Sequence, residues 1–484
     1  MKSFANHDGV CNWSGAVVEL QNKEWARLSE RYLPIVSQDS IWRYSRTVKS
    51  GDAEQGWKLH ISATILSANS VFAAVAPYLT KCGTLFKAAC SLKELEKLNS
   101  GLHYGYSQVG KFITVYPRTA KEAVLLARKL RFLTRHAAAP AVPFDQRFGT
   151  EGCIYYRYGS FKRLEIENQN GIRLPALRDP EGNLIPDQRY SESSPEWVSD
   201  PFANERSGTA PANSPLKTTF PAFQALTQRG KGGVYKALDL SVSPPRLCIL
   251  KEGRRHGETT WDDRDGKWLV RREREVLSSL RASGIEVPAI YSSFEINDNH
   301  YLVTEYIEGE SLQDVLFRMR RRLSVTCALQ YAIQLADLLG RIHDAGWAWR
   351  DCKPANLIVA NDGRLRPVDF EGSSQVHQTE GRPWSTPAFM PQDRSSGKQD
   401  DLYALGAVIY FLFTGRLADR TSFTPLAKLR RNLPLTVCEV VEVLLSREPE
   451  LRPDAGSVRR RLELCGRMGQ GKVIAPDEVQ EPGI

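Results

Sequence analysis

Residues Trp349–Gly372 read WRDCKPANLIVANDGRLRPVDFEG. Asp351, Lys353 and Asn356 form a D-x-K-x-x-N core, an apolar strand follows, and Asp369 stands in Val-Asp-Phe thirteen residues after Asn356. D-x-K-x-x-N alone is common in unrelated sequences; with Val-Asp-Phe at that distance it is hard to produce by accident. The residue types suit one chemistry. Phosphoryl transfer needs a carboxylate to orient the attacking hydroxyl, a cation on the moving phosphate, and an Asn and an Asp to hold the metal that neutralises the phosphates.

Working outward, CILKEG places Lys251 at the end of a strand pattern, and RREREVL supplies Glu273 on a helix pattern. YLVTEYIEGESL (Tyr301–Leu312), DLYALG (Asp401–Gly406) and Arg452-Pro453 follow in order. Together these motifs resemble the protein kinase superfamily over roughly residues 218–466, with Trp-Arg-Asp for His-Arg-Asp and Asp-Phe-Glu for Asp-Phe-Gly. The resemblance implies that Asp351 orients the substrate hydroxyl and Lys353 steadies the phosphate. Asn356 and Asp369 would hold Mg²⁺, and Lys251 would pair with Glu273. Gly232, Val234, Glu305 and Ile307 would line the nucleotide. Three departures stand out. The nucleotide loop, LTQRGKGGVYKA, keeps only Gly232, with Thr227 and Arg229 at the first two glycine positions. Ile249 replaces the small residue that leaves room for adenine, so ATP and GTP both stay open. FMPQD stands where the family has Ala-Pro-Glu.

A chain of 484 residues is too long for one core. Its 42% apolar and 25% charged composition excludes a fibrous or largely disordered protein. The net charge of +9 suits a phosphorylated or nucleotide substrate as well as it suits nucleic acid. The densest basic run, RMRRR from Arg318, sits in a helical pattern, so no nucleic-acid partner is expected. Nine scattered cysteines without C-x-x-C spacing argue against a zinc site or a disulfide framework. No stretch has the length of a membrane span, so no membrane partner is expected and a reducing cytoplasm is the expected location. Residues 191–217, rich in Ser, Pro, Asn and Ala, read as a linker between domains at 1–190 and 218–468, and 469–484 as a disordered tail.

In the first half, QGWKLHIS alternates Trp57, Leu59 and Ile61 with Lys58, His60 and Ser62, the period of a strand with one buried face. Lys58 and His60 then project from one side, about 6–7 Å apart. A lysine with lowered pKa and an imidazolium can act as base and acid in a β-elimination; alone, Lys-x-His more often marks a half-exposed strand. Thr119 to Arg135 reads as a helix with a Thr119/Glu122 capping box and an apolar set of Val124, Leu125, Ala127, Leu130 and Leu133. GKFITVYP and CIYYRYGSF read as further strands.

Lys-x-His-Ile-Ser, Phe86-Lys87, the Ile113–Tyr116 strand and Arg157 occur in the order found in bacterial phosphothreonine lyases. GWKLHIS, GKFITVYP and YYRYGSF resemble more closely the N-terminal lyase domain of class III and IV lanthipeptide synthetases. That resemblance implies Lys58 as base and His60 as acid, with Lys87 and Arg157 on the phosphate. Lys111 and Arg147 are further candidates for the same pocket, and Tyr116 for a hydrogen bond to it. It implies a two-domain α+β chain: a phosphothreonine-lyase-like α+β domain, then a bilobal protein-kinase-like domain. The pair would phosphorylate Ser/Thr of a ribosomal precursor peptide and eliminate the phosphate, using ATP or GTP and Mg²⁺. Only a short tail follows the kinase-like half, so no zinc-dependent cyclase is expected, and a separate cyclase is a candidate partner. Two other readings are an effector-like lyase acting on phosphoproteins and a non-catalytic peptide-binding scaffold.

Overall fold

The computed structural model describes residues 15–37, 39, 41–162, 164–190, 194–205, 214–319, 323–377, 387–391, 397–418 and 423–470. Contacts divide them into two compact bodies, residues 15–271 with 292–303 and residues 272–291 with 304–470. The division therefore falls inside the kinase-like segment, within helix Gly266–Ala282.

The first body is built on seven strands: β1 (Ile35–Val36), β2 (Trp42–Tyr44), β3 (Gln55–Ile61), β4 (Leu85–Ala89), β5 (Ile113–Tyr116), β6 (Gln146–Arg147) and β7 (Ile154–Ser160). Their spatial order is β1-β2-β4-β5-β3-β7-β6, antiparallel throughout. Helices α1 (Gly15–Tyr32), α2 (Ala68–Cys82), α3 (Leu92–Ser100) and α4 (Ala120–Thr134) accompany them. Leu59, Ile61, Phe86, Ile113, Val115, Ile154 and Tyr156 bury one sheet face in a core with Phe72 and Val75 of α2, Leu126 and Leu130 of α4, and Trp25 of α1. Each such side chain contributes about 1.5–3 kcal/mol of apolar transfer.

Helix α4 starts as its capping box implies: the Thr119 hydroxyl accepts the Glu122 N–H at 3.1 Å. The Glu122 carboxylate, however, accepts from Arg118 N–H (2.7 Å) and the Thr84 hydroxyl (2.8 Å), tying the helix to the strand before it. The apolar face needs correction. Ala123, Leu126, Ala127, Leu130 and Thr134 are buried, at spacings of three and four, while Leu125 is 55% exposed. Strand β3 also differs from a one-faced strand, because Lys58 and His60 are buried as well (9% and 4% exposed). Their face is closed by loop residues around Asp145 and Asp187. The latter follows a small sheet of β8 (Glu165–Glu167), β9 (Arg173–Arg178) and β10 (Leu184–Pro186).

The segment read as a linker also needs amendment. Phe202 is fully buried, with its ring 4.1 Å from Tyr156 and 5.5 Å from Trp57, so residues 194–205 belong in part to this core. An isolated aromatic in a Ser/Pro-rich run carries no periodic signal, which is why the sequence hides it. Residues 191–193, 206–213 and 471–484 of the proposed linker and tail lie outside the described residues.

The same body carries most of a second sheet, β11 (Ala222–Arg229), β12 (Gly232–Asp239), β13 (Arg246–Gly253), β14 (Ile290–Ile296) and β15 (Asn299–Glu305), in the order β11-β12-β13-β15-β14; Ile290, Tyr291, Thr304 and Glu305 fall to the second body. Gly230 and Lys231 turn the β11–β12 hairpin. The second body is mainly helical, with helix Ala455–Gln470 packed on Val325–Asp344 and Leu435–Leu444, which both pack on Lys398–Thr414. The last is buried at every residue from Asp401 to Thr414, as suits a helix apolar nearly all round at the centre of a core.

Candidate active sites

Directly opposed residues of an antiparallel pair point to the same face. In the first sheet Lys87 opposes Thr114, Thr114 opposes His60, His60 opposes Tyr155, and Tyr155 opposes Arg147. Lys58 opposes Arg157 one pleat away. Register alone thus puts Lys58, His60, Lys87 and Arg157 on one face, with Tyr116 two residues from Thr114 on the same side. The structure brings them together as read from sequence. It also brings in Lys111, whose Nζ lies 3.4 Å from Asp145 Oδ1. Arg147 is the exception: it sits exposed at the sheet edge and donates to the Gly152 carbonyl at 3.2 Å.

Burial sets the electrostatics of this face. It pushes Lys58 well below the usual lysine range, helped by Arg157 and opposed by Asp187. The amine donates to the Ser160 carbonyl at 2.7 Å. Burial brings Lys87 down to about 8, against Asp39. Its ammonium stands 4.0 Å above the Trp42 ring. Burial takes His60 to about 4 despite Asp145, so the imidazole is neutral before an anion arrives. It raises Tyr116 well above the usual phenol range. Burial alone would raise Asp145, yet His60, Lys111 and Arg157 hold it well below the usual carboxylate range.

Three residues of this pocket were missed in the sequence. Asp145 bonds His60 Nδ1 at 2.5 Å. Asp187 accepts from Arg157 at 2.6 Å and Arg189 at 3.2 Å. All three stand in loops without periodicity, where an acidic or basic residue looks like any solvated charge. Even with Lys58 neutral, Lys87, Lys111, Arg157 and Arg189 against Asp145 and Asp187 leave a net-positive pocket fit for an oxyanion.

In the second body, Asp401 anchors the catalytic-loop backbone, accepting Trp349 N–H at 2.8 Å and Arg350 N–H at 2.6 Å. Trp349 donates its indole N–H to the Asp369 carbonyl (3.0 Å) and stacks on Phe370 at 5.4 Å. Asp369 itself takes a positive φ of 67°. Asp351 Oδ2 accepts from Lys353 Nζ at 2.6 Å and Asn356 Nδ2 at 2.8 Å. Burial raises Asp351, opposed by Lys353 and reinforced by the nearby charge of Asp369. Both Asn356 amide bonds go to Asp351, leaving Oδ1 as an acceptor. The Asp369 carboxylate and the Asn356 amide oxygen are hard donors, a pair that fits Mg²⁺ sharing substrate phosphates and water. The Glu273 carboxylate accepts Phe370 N–H at 3.1 Å. Glu305 is fixed by paired bonds to Ala289, its N–H donating at 2.8 Å and its carboxylate accepting at 3.0 Å; Ile307 follows, half-buried. In the first body, Val234 opposes Lys251 across β12–β13, and Gly232 opposes Gly253. Of FMPQD, Gln392 and Asp393 lie outside the described residues. No helix among the described residues is long and apolar enough to cross a membrane.

Comparison with known proteins matches two segments of the chain. Residues 32–214 match the family described as RamC, N-terminal domain, and residues 230–455 match the protein kinase domain. The probable SapB synthase of Streptomyces coelicolor is 29% identical over 386 residues, covering 77% of this chain and 41% of that protein. Serine/threonine-protein kinase PknA of Nostoc sp. is 25% identical over 49% of this chain and 45% of its own length. The probable serine/threonine-protein kinase YbdM of Bacillus subtilis is 29% identical over 39% and 67%. The chain spans less than half the length of the first two.

Proposed function

We propose that this chain, which joins a RamC N-terminal domain to a protein kinase domain, is a peptide dehydratase of lanthipeptide-type biosynthesis, phosphorylating Ser/Thr and then eliminating the phosphate. The observation that carries the reading is the buried face bearing Lys58, His60, Lys87 and Arg157, a pocket for the phosphate that the kinase half makes.

In the kinase half, Asp351 orients the Ser/Thr hydroxyl and receives its proton as the oxygen bonds to the γ-phosphorus and the β–γ bridge breaks. Lys353 stays with the transferred group, and Lys251 with the phosphates of the nucleotide, ATP or GTP. Mg²⁺, held by Asn356 and Asp369, would supply charge neutralisation on those phosphates. In the lyase half, neutral Lys58 takes the Cα proton, the Cα–Cβ double bond forms, and the Cβ–O bond breaks toward phosphorus. Lys87, Lys111 and Arg157 hold the phosphate, and Tyr116 reaches it as a hydrogen-bond donor. The dianion raises His60 so that it carries the proton that leaves with phosphate, while Asp145 supports the imidazolium. The products are dehydroalanine or dehydrobutyrine and inorganic phosphate.

One observation favours a second assignment of the lysines. Lys87, at about 8, lies close to the working pH at which a general base is most effective. The two assignments differ in the pH profile described below. The reading as a whole is tested by mass spectrometry of a candidate precursor with NTP and Mg²⁺. Wild type should remove one water per modified residue, and Lys58→Ala should leave each heavier by one phosphate. Unmodified peptide from Lys58→Ala, or wild-type dehydration by it, would refute the lyase half.

A further inference from the structure

The tip of the nucleotide loop is bound to the lyase half. Gly230 N–H donates to the Ser100 carbonyl at the end of α3, at 3.0 Å. A Cβ at Gly230 would lie 1.6 Å from the Asn99 carbonyl oxygen, so glycine at this position answers to the lyase backbone. The other side of the tip is fixed too, since Arg254 N–H donates to the Lys231 carbonyl at 2.8 Å. A second contact lies beside the first: the Arg254 guanidinium stands 4.9 Å over the Tyr106 ring.

Both contacts lead to the acid end of the lyase pocket. Asn99 Oδ1 accepts Gly110 N–H at 3.2 Å, and Gly110 precedes Lys111, which faces Asp145. Tyr106 packs edge-on to Phe144 at 5.7 Å. Phe144 holds a positive φ of 62° immediately before Asp145, the partner of His60. A residue in that region keeps its conformation only while its surroundings impose it.

We propose that nucleotide bound to the kinase and phosphopeptide bound to the lyase antagonise each other through the Gly230–Ser100 and Arg254–Tyr106 contacts. A glycine-rich loop of this domain class covers the nucleotide phosphates with its backbone N–H groups. Gly230 N–H serves either Ser100 or a phosphate oxygen. Turning to phosphate frees the Asn99–Lys111 segment and relaxes Phe144, loosening Lys111, Asp145 and His60 around the eliminated group. Linkage requires the reverse effect to be equal. The relay would then alternate, transferring phosphate with nucleotide in place and eliminating after it has left.

This inference rests on the lyase reading, and the test separates the two. A synthetic phosphoserine peptide is offered to the full chain, and dehydration is followed with and without a saturating non-hydrolysable nucleotide and Mg²⁺. Nucleotide should lower kcat/KM for elimination about fivefold or more. In calorimetry with Lys58→Ala, which holds the peptide without consuming it, peptide and nucleotide should each weaken the other's binding by one common factor. Tyr106→Leu keeps an apolar filler but removes the ring under Arg254, and Arg254→Met removes the cation while keeping the backbone donor to Lys231. Both should already eliminate, without nucleotide, at the lowered rate that wild type shows with it, and nucleotide should lower that rate no further. No dehydration by wild type overturns the lyase reading itself. Dehydration that is indifferent to nucleotide, or faster with it, overturns the antagonism alone.

Discussion

His60 Nδ1 and Asp145 Oδ2 lie 2.5 Å apart, with both side chains closed off from solvent. The bond commits the Nδ1 proton to Asp145 and leaves Nε2 as the nitrogen that meets substrate. It also supplies the one negative charge that favours protonating a buried imidazole, otherwise pushed down to about 4.

Asp145→Asn should therefore act through His60. An amide oxygen can still accept from Nδ1, but the charge is lost, so His60 falls further and carries its proton in fewer molecules at the working pH. Elimination should slow about 10²-fold, toward the low end of what a positioned acid contributes. Phosphopeptide should accumulate while phosphoryl transfer stays intact. The limb on which elimination falls as His60 loses its proton should shift to lower pH, which a packing defect alone would not produce. Wild-type elimination with an unshifted limb would dismiss Asp145 as a positioning residue.

Asp369→Asn should abolish phosphoryl transfer, because the neutral amide leaves Asn356 without a carboxylate to share the metal and its phosphates. The same variant should dehydrate a synthetic phosphopeptide at the wild-type rate without any nucleotide. Water loss from an unphosphorylated precursor with this variant would refute the kinase assignment.

How much could be read from the chain follows from where periodicity exists. The faces of β3, β5 and β7 were legible because a strand alternates, and once Lys58 and His60 share a side the register carries Lys87 and Arg157 to it. The catalytic loop was legible because phosphoryl transfer constrains residue types at short spacing. Asp145, Asp187 and Arg189 were not, since loops have no period and their meeting depends on how the chain returns. The buried stripe of α4 was misassigned at Leu125 because several apolar residues in a row permit more than one face. Arg147 was placed in the right row but at an edge, where the side chain turns away.

Phe202 tests the amended boundary. Its ring fills a cluster with Trp57, Phe148 and Tyr156, so Phe202→Ala should leave a cavity and cost about 3–5 kcal/mol. Urea unfolding of the first body should show a lower midpoint with an unchanged slope. An unaltered midpoint would return residues 194–205 to the role of a plain linker.

The two assignments of the lysines predict opposite limbs near pH 8. If Lys58 is the base, it works in its neutral form, which burial and Arg157 favour by holding it well below the usual range. Lys87 then works as a cation on the phosphate, and its proton leaves at about 8. The substrate's phosphate is a dianion above roughly pH 6 and contributes no limb there. In this assignment kcat/KM for a pre-phosphorylated peptide, which reports the free enzyme, should fall as pH rises through about 8. Lys87→Met should lower kcat/KM at every pH and remove that limb. If Lys87 is the base, kcat/KM should instead rise through the same pH. Unfolding linked to Lys87 cannot imitate the fall. Between about 8 and the ordinary lysine value of 10.5 the unfolded chain binds the proton that folded Lys87 has shed, so this group makes the fold more stable as pH rises. A rising limb that disappears in Lys87→Met would transfer the role of base from Lys58 to Lys87 and leave the rest of the pocket as described.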